Sequence, residues 1–254
     1  MIDKELGERA GDENIIEGRN AVNEALNAGR PIDKVYYNTD SKDGAFKSLV
    51  MRIKETGAAA IGCDRKRLDY MSRTGAHQGI IAIVSAQKYS DVPDILARAE
   101  SSGRPALIVI CDEISDPHNL GAIIRSAEAA GAHGVIIPKR RSAGLTAACA
   151  KASAGAIEHI PVAKVSNISA AISDLKSGGI WIFGTSLDGE TSIYDTDLTV
   201  PAAIVIGSEG GGMRRIVSES CDFLMRIPML GKIQSLNASA AAAVALFEVV
   251  RQRR

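Results

Sequence analysis

Residues 116–126 combine a polar side chain and an arginine that could together hold an anionic group. Apolar residues recur here at helical spacing, at Leu120, Ile123, Ile124 and Ala127. We expect Asn119 to cap this helix and Arg125 to lie off its buried stripe. Helical side chains point toward the N-terminus, so the guanidinium should lie over Gly121, which has no Cβ to obstruct it. The segment predicts anion binding at a helix N-terminus, or a surface arginine above a glycine chosen for packing.

A glycine-rich loop around Glu209 is the second candidate for chemistry. Four glycines flank this glutamate directly after an apolar run, at Gly207, Gly210, Gly211 and Gly212. Glycine allows a ligand to approach the backbone closely, and open α/β sheets bind ligands at the carboxyl ends of their strands. The spacing matches neither a P-loop nor a dinucleotide fingerprint. The loop therefore predicts a ligand of another class, or only a turn.

The third candidate is the loop at residues 227–239, which presents Ser235 and Asn237 just before a final helix. Ile227, Met229 and Leu236 could form an apolar slot for a flat ring, with loop backbone groups reading the edges of that ring. The alternative is that the serine or the asparagine merely caps the helix. Capping would not exclude a functional role.

The elements that must position these segments alternate between strand and helix from residue 105 onward. The predicted strands are continuous apolar runs at residues 106–111, 134–138, 160–163, 180–183, 202–206 and 224–227. Such runs between amphipathic helices indicate an α/β fold with a parallel sheet covered on both faces. The alanine-rich stretch 238–250 predicts a helix that packs closely against the core or a second subunit.

The first part of the chain reads as a separate, smaller α/β unit. It shows helical patterns at 20–26 and 46–56 and strand patterns at 34–37, 58–61 and 79–84. A helix is predicted over residues 94–101, and residues 101–105, Ser-Ser-Gly-Arg-Pro, form a clear break. We therefore predict a flexible N-terminus over 1–13, a small domain over 14–88, a linker over 89–104 and a larger domain over 105–254.

Composition restricts the class of protein. The 254 residues include 30 basic and 30 acidic residues, so nucleic-acid binding would depend on local patches such as 139–141 and 251–254, which could equally be solvated ends or loops. The polar first residues and the absence of a long apolar run predict a cytoplasmic protein with no membrane span. Four widely spaced cysteines suggest neither disulfides nor a metal site.

Taken in order, the three segments read NLGxxxR, GxEG and IPMxGxxxSLN, and they resemble the SpoU family of RNA 2′-O-methyltransferases in the SPOUT superfamily. The stretch from IIEGRNAVNEAL to HQGIIAIV is similar to the small substrate-binding domain of these enzymes, which has a fold like ribosomal protein L30e. PKRRSAGLT and KASAGAIEHIPVA resemble the RlmB-like branch, which methylates a guanosine of 23S rRNA. Ser208 departs from the pattern, because many relatives are expected to carry alanine there.

This resemblance implies a six-stranded parallel SPOUT domain with a deep C-terminal trefoil knot, preceded by the L30e-like domain. It implies S-adenosylmethionine as cofactor, RNA (23S rRNA) as partner and a homodimer formed through the SPOUT domain. The cofactor-binding residues that it implies are Gly207, Gly211, Ile227, Met229 and Leu236. The active-site residues that it implies are Asn119, Arg125, Glu209, Ser235 and Asn237.

The implied chemistry places Arg125 beside an RNA phosphate and the ribose oxygen. Because a guanidinium is effectively always protonated, we expect Arg125 to stabilise developing negative charge, although a role as the base stays open. His77 precedes a strand of the small domain, which favours an RNA contact or a structural role over catalysis. Trp181 lies in an apolar run and is expected in the core.

Three alternatives stay open at this point. The same chemistry could act on a tRNA or on another rRNA nucleotide. A non-catalytic assembly factor could bind rRNA through both domains, although the intact set of polar residues in the three segments argues against it. A small-molecule methyltransferase is the third alternative, and the N-terminal domain and the basic residues 139–141 weigh against it.

Overall fold

The computed structural model describes residues 15–233 and 235–254, so the predicted flexible N-terminus over 1–13 lies outside the described residues. The chain divides into two compact units. The first unit runs to Lys88 and includes Gly144–Ala148, and the second comprises Tyr89–Ala143 and Cys149–Arg254.

The first unit is built on a four-stranded mixed sheet. Its strands are β1 (Ile15–Glu17), β2 (Ile32–Asn38), β3 (Ala59–Cys63) and β4 (Ile80–Val84), in the order β1-β4-β2-β3. Only the β2–β3 pair is parallel among them. Its helices are α1 (Arg19–Asn27), α2 (Gly44–Glu55) and α3 (Arg65–Met71). Sequence patterns missed β1, which has three residues, and α3, in which only Leu68 is buried.

The second unit is an α/β domain with a wholly parallel sheet, as predicted. Its strands are β5 (Leu107–Asp112), β6 (Gly134–Pro138), β7 (Val162–Val165), β8 (Trp181–Thr185), β9 (Thr191–Ser192), β10 (Ala202–Gly207) and β11 (Phe223–Arg226). They lie in the order β7-β6-β5-β10-β8-β11-β9. The described sheet thus has seven strands where six were expected, because the two-residue edge strand β9 is too short to give an apolar pattern.

Helices cover both faces of this sheet. They are α4 (Val92–Ser101), α5 (Pro117–Ala129), α6 (Ala147–Ala152), α7 (Ile168–Ser177), α8 (Arg215–Ser218) and α9 (Ala238–Gln252). One core cluster joins Ile108 and Ile110 of β5 to Leu175 of α7 and Val217 of α8. Alternate strand residues point to the opposite face, where α5 and α9 pack against each other and against the central strands.

Two predictions about this unit need correction. The predicted linker 89–104 contains α4, whose fully buried Ile95 belongs to the core and lies over Gly134. Ile95 and Ala99 lie four positions apart and therefore on one face of the helix, which explains why this face packs against the core. Trp181 is 47% exposed and is not a core residue. It is the first residue of β8, and the ring centroid of the half-exposed Phe223 lies 5.8 Å from its own.

None of the described helices is long and apolar enough to cross a membrane. Among the described residues, no group of His, Cys, Asp or Glu could hold a metal ion.

The four thiols are free, and three of them are buried. Burial raises the pKa of Cys111 and of Cys221 to about 12, so both thiols stay protonated at neutral pH.

In the first unit, Glu17 anchors the turn that follows α3. Its carboxylate accepts hydrogen bonds from the hydroxyl groups of Ser72 and Thr74, both at 2.6 Å, and from the backbone N–H of Arg73 at 2.7 Å. Burial raises the pKa of Glu17, but these hydrogen bonds outweigh burial, so the pKa lies below its ordinary value of 4.5. The charged carboxylate therefore stabilises the folded turn.

We predict that Glu17→Gln destabilises the first unit most near neutral pH. A carboxylate with a depressed folded pKa contributes stability above its unfolded pKa, and this contribution is lost as the pH falls through the folded pKa. The difference in unfolding free energy between wild type and variant should therefore shrink below pH 4.5. Urea titrations at several pH values measure it, with the exposed Glu24→Gln as control. A difference that grows on acidification would contradict the assignment.

Candidate active site

The helix that carries Asn119 begins earlier than its sequence pattern predicted. Asp116 is the N-cap of α5, and its side chain accepts from the backbone N–H of His118 at 2.8 Å. Pro117 occupies the first turn, where its fixed φ suits a helix start. The prediction that Asn119 caps this helix is therefore wrong, and its side chain is available for other partners.

Asn119, Glu209 and Asn237 form one hydrogen-bonded cluster. The Nδ2 groups of both asparagines donate to Oε1 of Glu209, from Asn237 at 2.6 Å. Asn237 Nδ2 also donates to Oδ1 of Asn119 at 3.0 Å. One residue from each of the three candidate segments thus meets the other two, although the outermost pair is separated by 118 positions in the sequence.

Asn237 has a second role at the start of α9. Its Oδ1 accepts from the backbone N–H groups of Ser239 and Ala240, at 2.9 and 3.3 Å, and from the Ser239 hydroxyl at 2.6 Å. It is therefore the N-cap of the last helix. The capping and cluster roles use different atoms of the same amide, so they are compatible.

Arg125 lies on the exposed surface of α5 and forms no hydrogen bond with this cluster. Six helical positions separate it from Asn119, which corresponds to about 9 Å along the axis and about 120° around it. Across the described residues, its guanidinium has no hydrogen bond or ion pair. Gly121 does not serve to admit this side chain, because a Cβ there would lie 2.5 Å from the Cys149 carbonyl oxygen. The glycine allows α5 to pack against α6.

The glycine loop folds back on the end of its own strand. Ser208 and Gly212 exchange backbone hydrogen bonds of 3.0 and 2.9 Å. A Cβ on Gly207 would lie 2.2 Å from the carbonyl carbon of Gly212, so only glycine fits at this position. Gly210 and Gly211 are exposed, and a Cβ on Gly210 would meet nothing within 4 Å. The loop tip is therefore open to a ligand.

The predicted apolar slot borders the same edge of the sheet. Ile227 and Met229 are partly buried, and Leu236 is 37% exposed. Strands β10 and β11 both lie next to β8, so the loops that follow them start close together at the carboxyl edge of the sheet. This is the edge where parallel sheets bind ligands. Ser235 is exposed and forms no hydrogen bond with the described residues. The structure thus brings together three of the five predicted catalytic side chains, and neither Arg125 nor Ser235 joins their hydrogen-bonded cluster.

An ion pair between the buried Asp112 and the partly exposed Arg214 was missed by sequence analysis. Asp112 ends β5 and is fully buried, and its carboxylate accepts from the backbone N–H of Arg214 at 2.7 Å and from Nε at 2.8 Å. The hydrogen bond to Asp112 raises the pKa of Arg214 above its ordinary value. This pair fixes the chain just after the glycine loop. An aspartate directly after a run of apolar strand residues was the available signal.

Residues 186–190, after β8, form a second missed part of this edge. The Arg226 guanidinium donates to the carbonyl oxygens of Gly189 and Glu190, both at 2.7 Å. A Cβ on Gly189 would lie 2.5 Å from the backbone of Met225. These contacts hold the loop against the end of β11. This edge of the sheet therefore combines the exposed backbone of the glycine loop, the apolar slot of Ile227, Met229 and Leu236, and the polar cluster. Such a combination suits a small ligand with a flat ring.

Comparison with known families gives two matches. Residues 106–247 match the model of the SpoU rRNA methylase family. Residues 15–90 match a second family model, described as RNA 2′-O ribose methyltransferase substrate binding. The first match covers more than half of the chain and includes all three segments that contribute to the polar cluster.

Similar proteins cover nearly the whole chain. A Bacillus subtilis (strain 168) protein named as a member of the TrmH family of tRNA/rRNA methyltransferases is 45% identical, over 93% of this chain and 94% of its own. The SpoU methyltransferase AviRb from Streptomyces viridochromogenes, solved with AdoMet, is 26% identical with a TM-score of 0.61, covering 99% and 98% of the two chains. An AdoMet-bound rRNA methyltransferase from Sinorhizobium meliloti is 26% identical with a TM-score of 0.59, covering 98% and 94%.

The close approach at Gly207 gives a direct test of the loop geometry. Gly207→Ala should destabilise the protein by roughly 1–3 kcal/mol, because the new methyl group displaces backbone atoms. Gly210→Ala, in the same loop, should change stability by less than about 0.5 kcal/mol. Urea unfolding of both variants measures this difference. Equal unfolding free energies would contradict the close contact between Gly207 and Gly212.

Proposed function

This chain belongs to the SpoU rRNA methylase family of SPOUT-class tRNA/rRNA methyltransferases, and we propose that it methylates the ribose 2′-hydroxyl of a guanosine in 23S rRNA. The observation that carries the proposal is the hydrogen-bonded cluster of Asn119, Glu209 and Asn237 at the carboxyl edge of the sheet. The match of residues 15–90 to an RNA 2′-O ribose methyltransferase substrate-binding model supports ribose as the acceptor. The choice of a 23S rRNA guanosine as the target is supported by the two sequence stretches that resemble the RlmB-like branch, PKRRSAGLT and KASAGAIEHIPVA.

S-adenosylmethionine is the methyl donor, and when bound it supplies an electrophilic methyl group on a sulfonium. The glycine loop and the apolar slot fit such a donor. The backbone of Gly207 and Gly211 can approach its polar edges, while Ile227, Met229 and Leu236 flank its flat adenine ring. Support for this fit comes from the open space around the loop tip at Gly210 and from the partial exposure of the three apolar side chains.

The polar residues act on the RNA. Arg125 hydrogen-bonds an RNA phosphate and the ribose oxygen and stabilises the negative charge that develops on that oxygen. Its exposed position, without a partner among the described residues, leaves the guanidinium available for RNA. Asn119 and Ser235 position the oxygen, whereas Glu209 and Asn237 orient the loops. The hydrogen bonds of Glu209 to both asparagines support this orienting role.

The remaining architecture belongs to the same proposal. The first unit is the substrate-binding domain, with an L30e-like fold, and the second unit carries a C-terminal trefoil knot. Two copies associate through the SPOUT domain, for which the half-exposed Phe247 on α9 offers an apolar contact. In such a dimer, the site of one copy can receive Arg125 from its own chain or from its partner. The second arrangement is compatible with the structure because Arg125 forms no hydrogen bond with the Asn119 cluster of its own chain.

The test of this function is the transfer of a labelled methyl group from S-adenosylmethionine to purified 23S rRNA, 16S rRNA and tRNA, with the modified nucleotide mapped by nuclease digestion. Label in a 2′-O-methylguanosine of 23S rRNA is the expected result. Label confined to tRNA or 16S rRNA would reassign the substrate. No transfer together with retained RNA binding would favour a non-catalytic assembly factor.

Arg125→Ala should lower the methyl-transfer rate by about 10²–10³-fold, because it removes a group that stabilises transition-state charge. S-adenosylmethionine affinity, measured by calorimetry, should change little. Arg215→Ala, which removes an exposed arginine of the same unit, is the matched control. Near-normal turnover of Arg125→Ala would exclude the proposed role.

A further inference from the structure

The first unit contains an open, polar cleft that the proposed reaction does not use. Its volume is about 500 Å³, within the range of small-ligand sites. It is lined by Arg19, Asn38, Ser41, Arg65, Gly75, His77, Gln78 and Gly79. None of these described lining residues is acidic, and two carry a guanidinium, so the cleft favours an anionic ligand.

The two amide side chains in the cleft present donors to it. Asn38 Oδ1 accepts from the backbone N–H of Asp40 at 3.0 Å, and Gln78 Oε1 accepts from the backbone N–H of Arg19 at 3.1 Å. Their oxygens are therefore engaged within the protein, and their NH₂ groups remain as donors. A ligand must supply hydrogen-bond acceptors to match them.

His77 shapes the cleft, and both of its ring nitrogens are engaged within the protein. Its Nδ1 accepts from the backbone N–H of Gly79 at 3.0 Å, so the ring proton lies on Nε2, which donates to Asp69 at 2.8 Å. The ring is almost fully buried. Both nitrogens are used to hold the loop containing Gln78, which adopts a positive φ of 49°. Of the two roles predicted for His77, an RNA contact or a structural role, this favours the structural one.

The two arginines differ in their freedom. Arg19 is fixed: its guanidinium lies 4.5 Å from the ring centroid of Phe46, its Nε donates to the Gln78 carbonyl at 3.1 Å, and it pairs with Asp43. Arg65 is exposed and has no ion pair with any described residue. Of the two guanidinium groups that line the cleft, only that of Arg65 is not paired with a carboxylate of the described residues.

We propose that this cleft binds one unstacked nucleotide of the RNA substrate, with its phosphate on Arg65 and base acceptor atoms on the amides of Asn38 and Gln78. The inference rests on the proposed function for the identity of the ligand as RNA. Proteins that read RNA sequence commonly take splayed bases into such donor-lined sites. The cleft would then select the RNA, while the edge of the second unit carries out methyl transfer.

Two matched pairs of variants in the full chain test the cleft, with a 23S rRNA transcript as the probe. Arg65→Ala should lower RNA affinity about 10-fold and reduce the slope of log affinity against log salt by about 0.7, the value for one single-strand phosphate contact. Arg30→Ala removes an equal charge from the exposed turn that follows α1 and should change neither the RNA affinity nor the salt slope. Arg65 has no internal partner among the described residues, so its variant should melt like wild type.

The second pair tests the amide donor. Asn38→Asp keeps the acceptor for Asp40 but replaces the NH₂ donor, and it should lower affinity at least about 10-fold. Asn27→Asp adds the same charge in the same unit and also keeps its acceptor role, toward Arg52, so its effect should be small.

The inference is overturned if each cleft variant binds RNA as its control does. Methyl transfer is read separately, so the two proposals can fail independently. If wild type methylates RNA while all four variants bind alike, only the cleft inference falls. If wild type does not methylate RNA while the pairs still differ in binding, only the proposed function falls.

Discussion

The three loops of the polar cluster in the second unit are joined by a single carboxylate shared by two amides. Glu209 accepts from Asn119 and Asn237, and each of these three residues follows a different strand. A parallel sheet delivers the loops to one edge but does not fix their distance from one another. The shared acceptor supplies that constraint, because its loss would leave amide donors without a protein partner. The ion pair of the buried Asp112 with Arg214 adds to this constraint by fixing the chain that leaves the glycine loop.

Close backbone contacts impose a second constraint, and glycine satisfies it at several positions. At Gly207 the strand end contacts the returning loop, at Gly121 two helices touch, and at Gly134 a sheet residue receives Ile95. In each case a Cβ would lie about 2.2–2.5 Å from another atom. These glycines are required by packing density rather than by backbone flexibility. Gly210 is different, because a Cβ there would meet nothing within 4 Å.

Periodicity predicted the sheet well where apolar runs were continuous, and β6 has the predicted bounds of 134–138. It failed for β9 and α3, which contain too few buried residues to give a pattern. It also misplaced the start of α5, because Pro117 pre-organises the first turn and lets Asp116 cap it. The contact between Asn119 and Asn237 could not be read from spacing, since it depends on a strand order in which β10 lies between β5 and β8. Residue type and position in the sequence singled out these residues, and the family resemblance grouped them into one site.

Asn237 both caps α9 and joins the polar cluster, and this double role restricts which substitutions are tolerated at position 237. Residues in functional sites are often poor choices for stability, so improving one property commonly harms the other. Here the opposite holds, because asparagine is among the best helix N-caps and its replacement by alanine typically costs about 1 kcal/mol. Substitutions by residues that cannot cap a helix, such as alanine, should therefore be disfavoured by selection for folding even where the activity is no longer needed, whereas serine or aspartate would keep the cap.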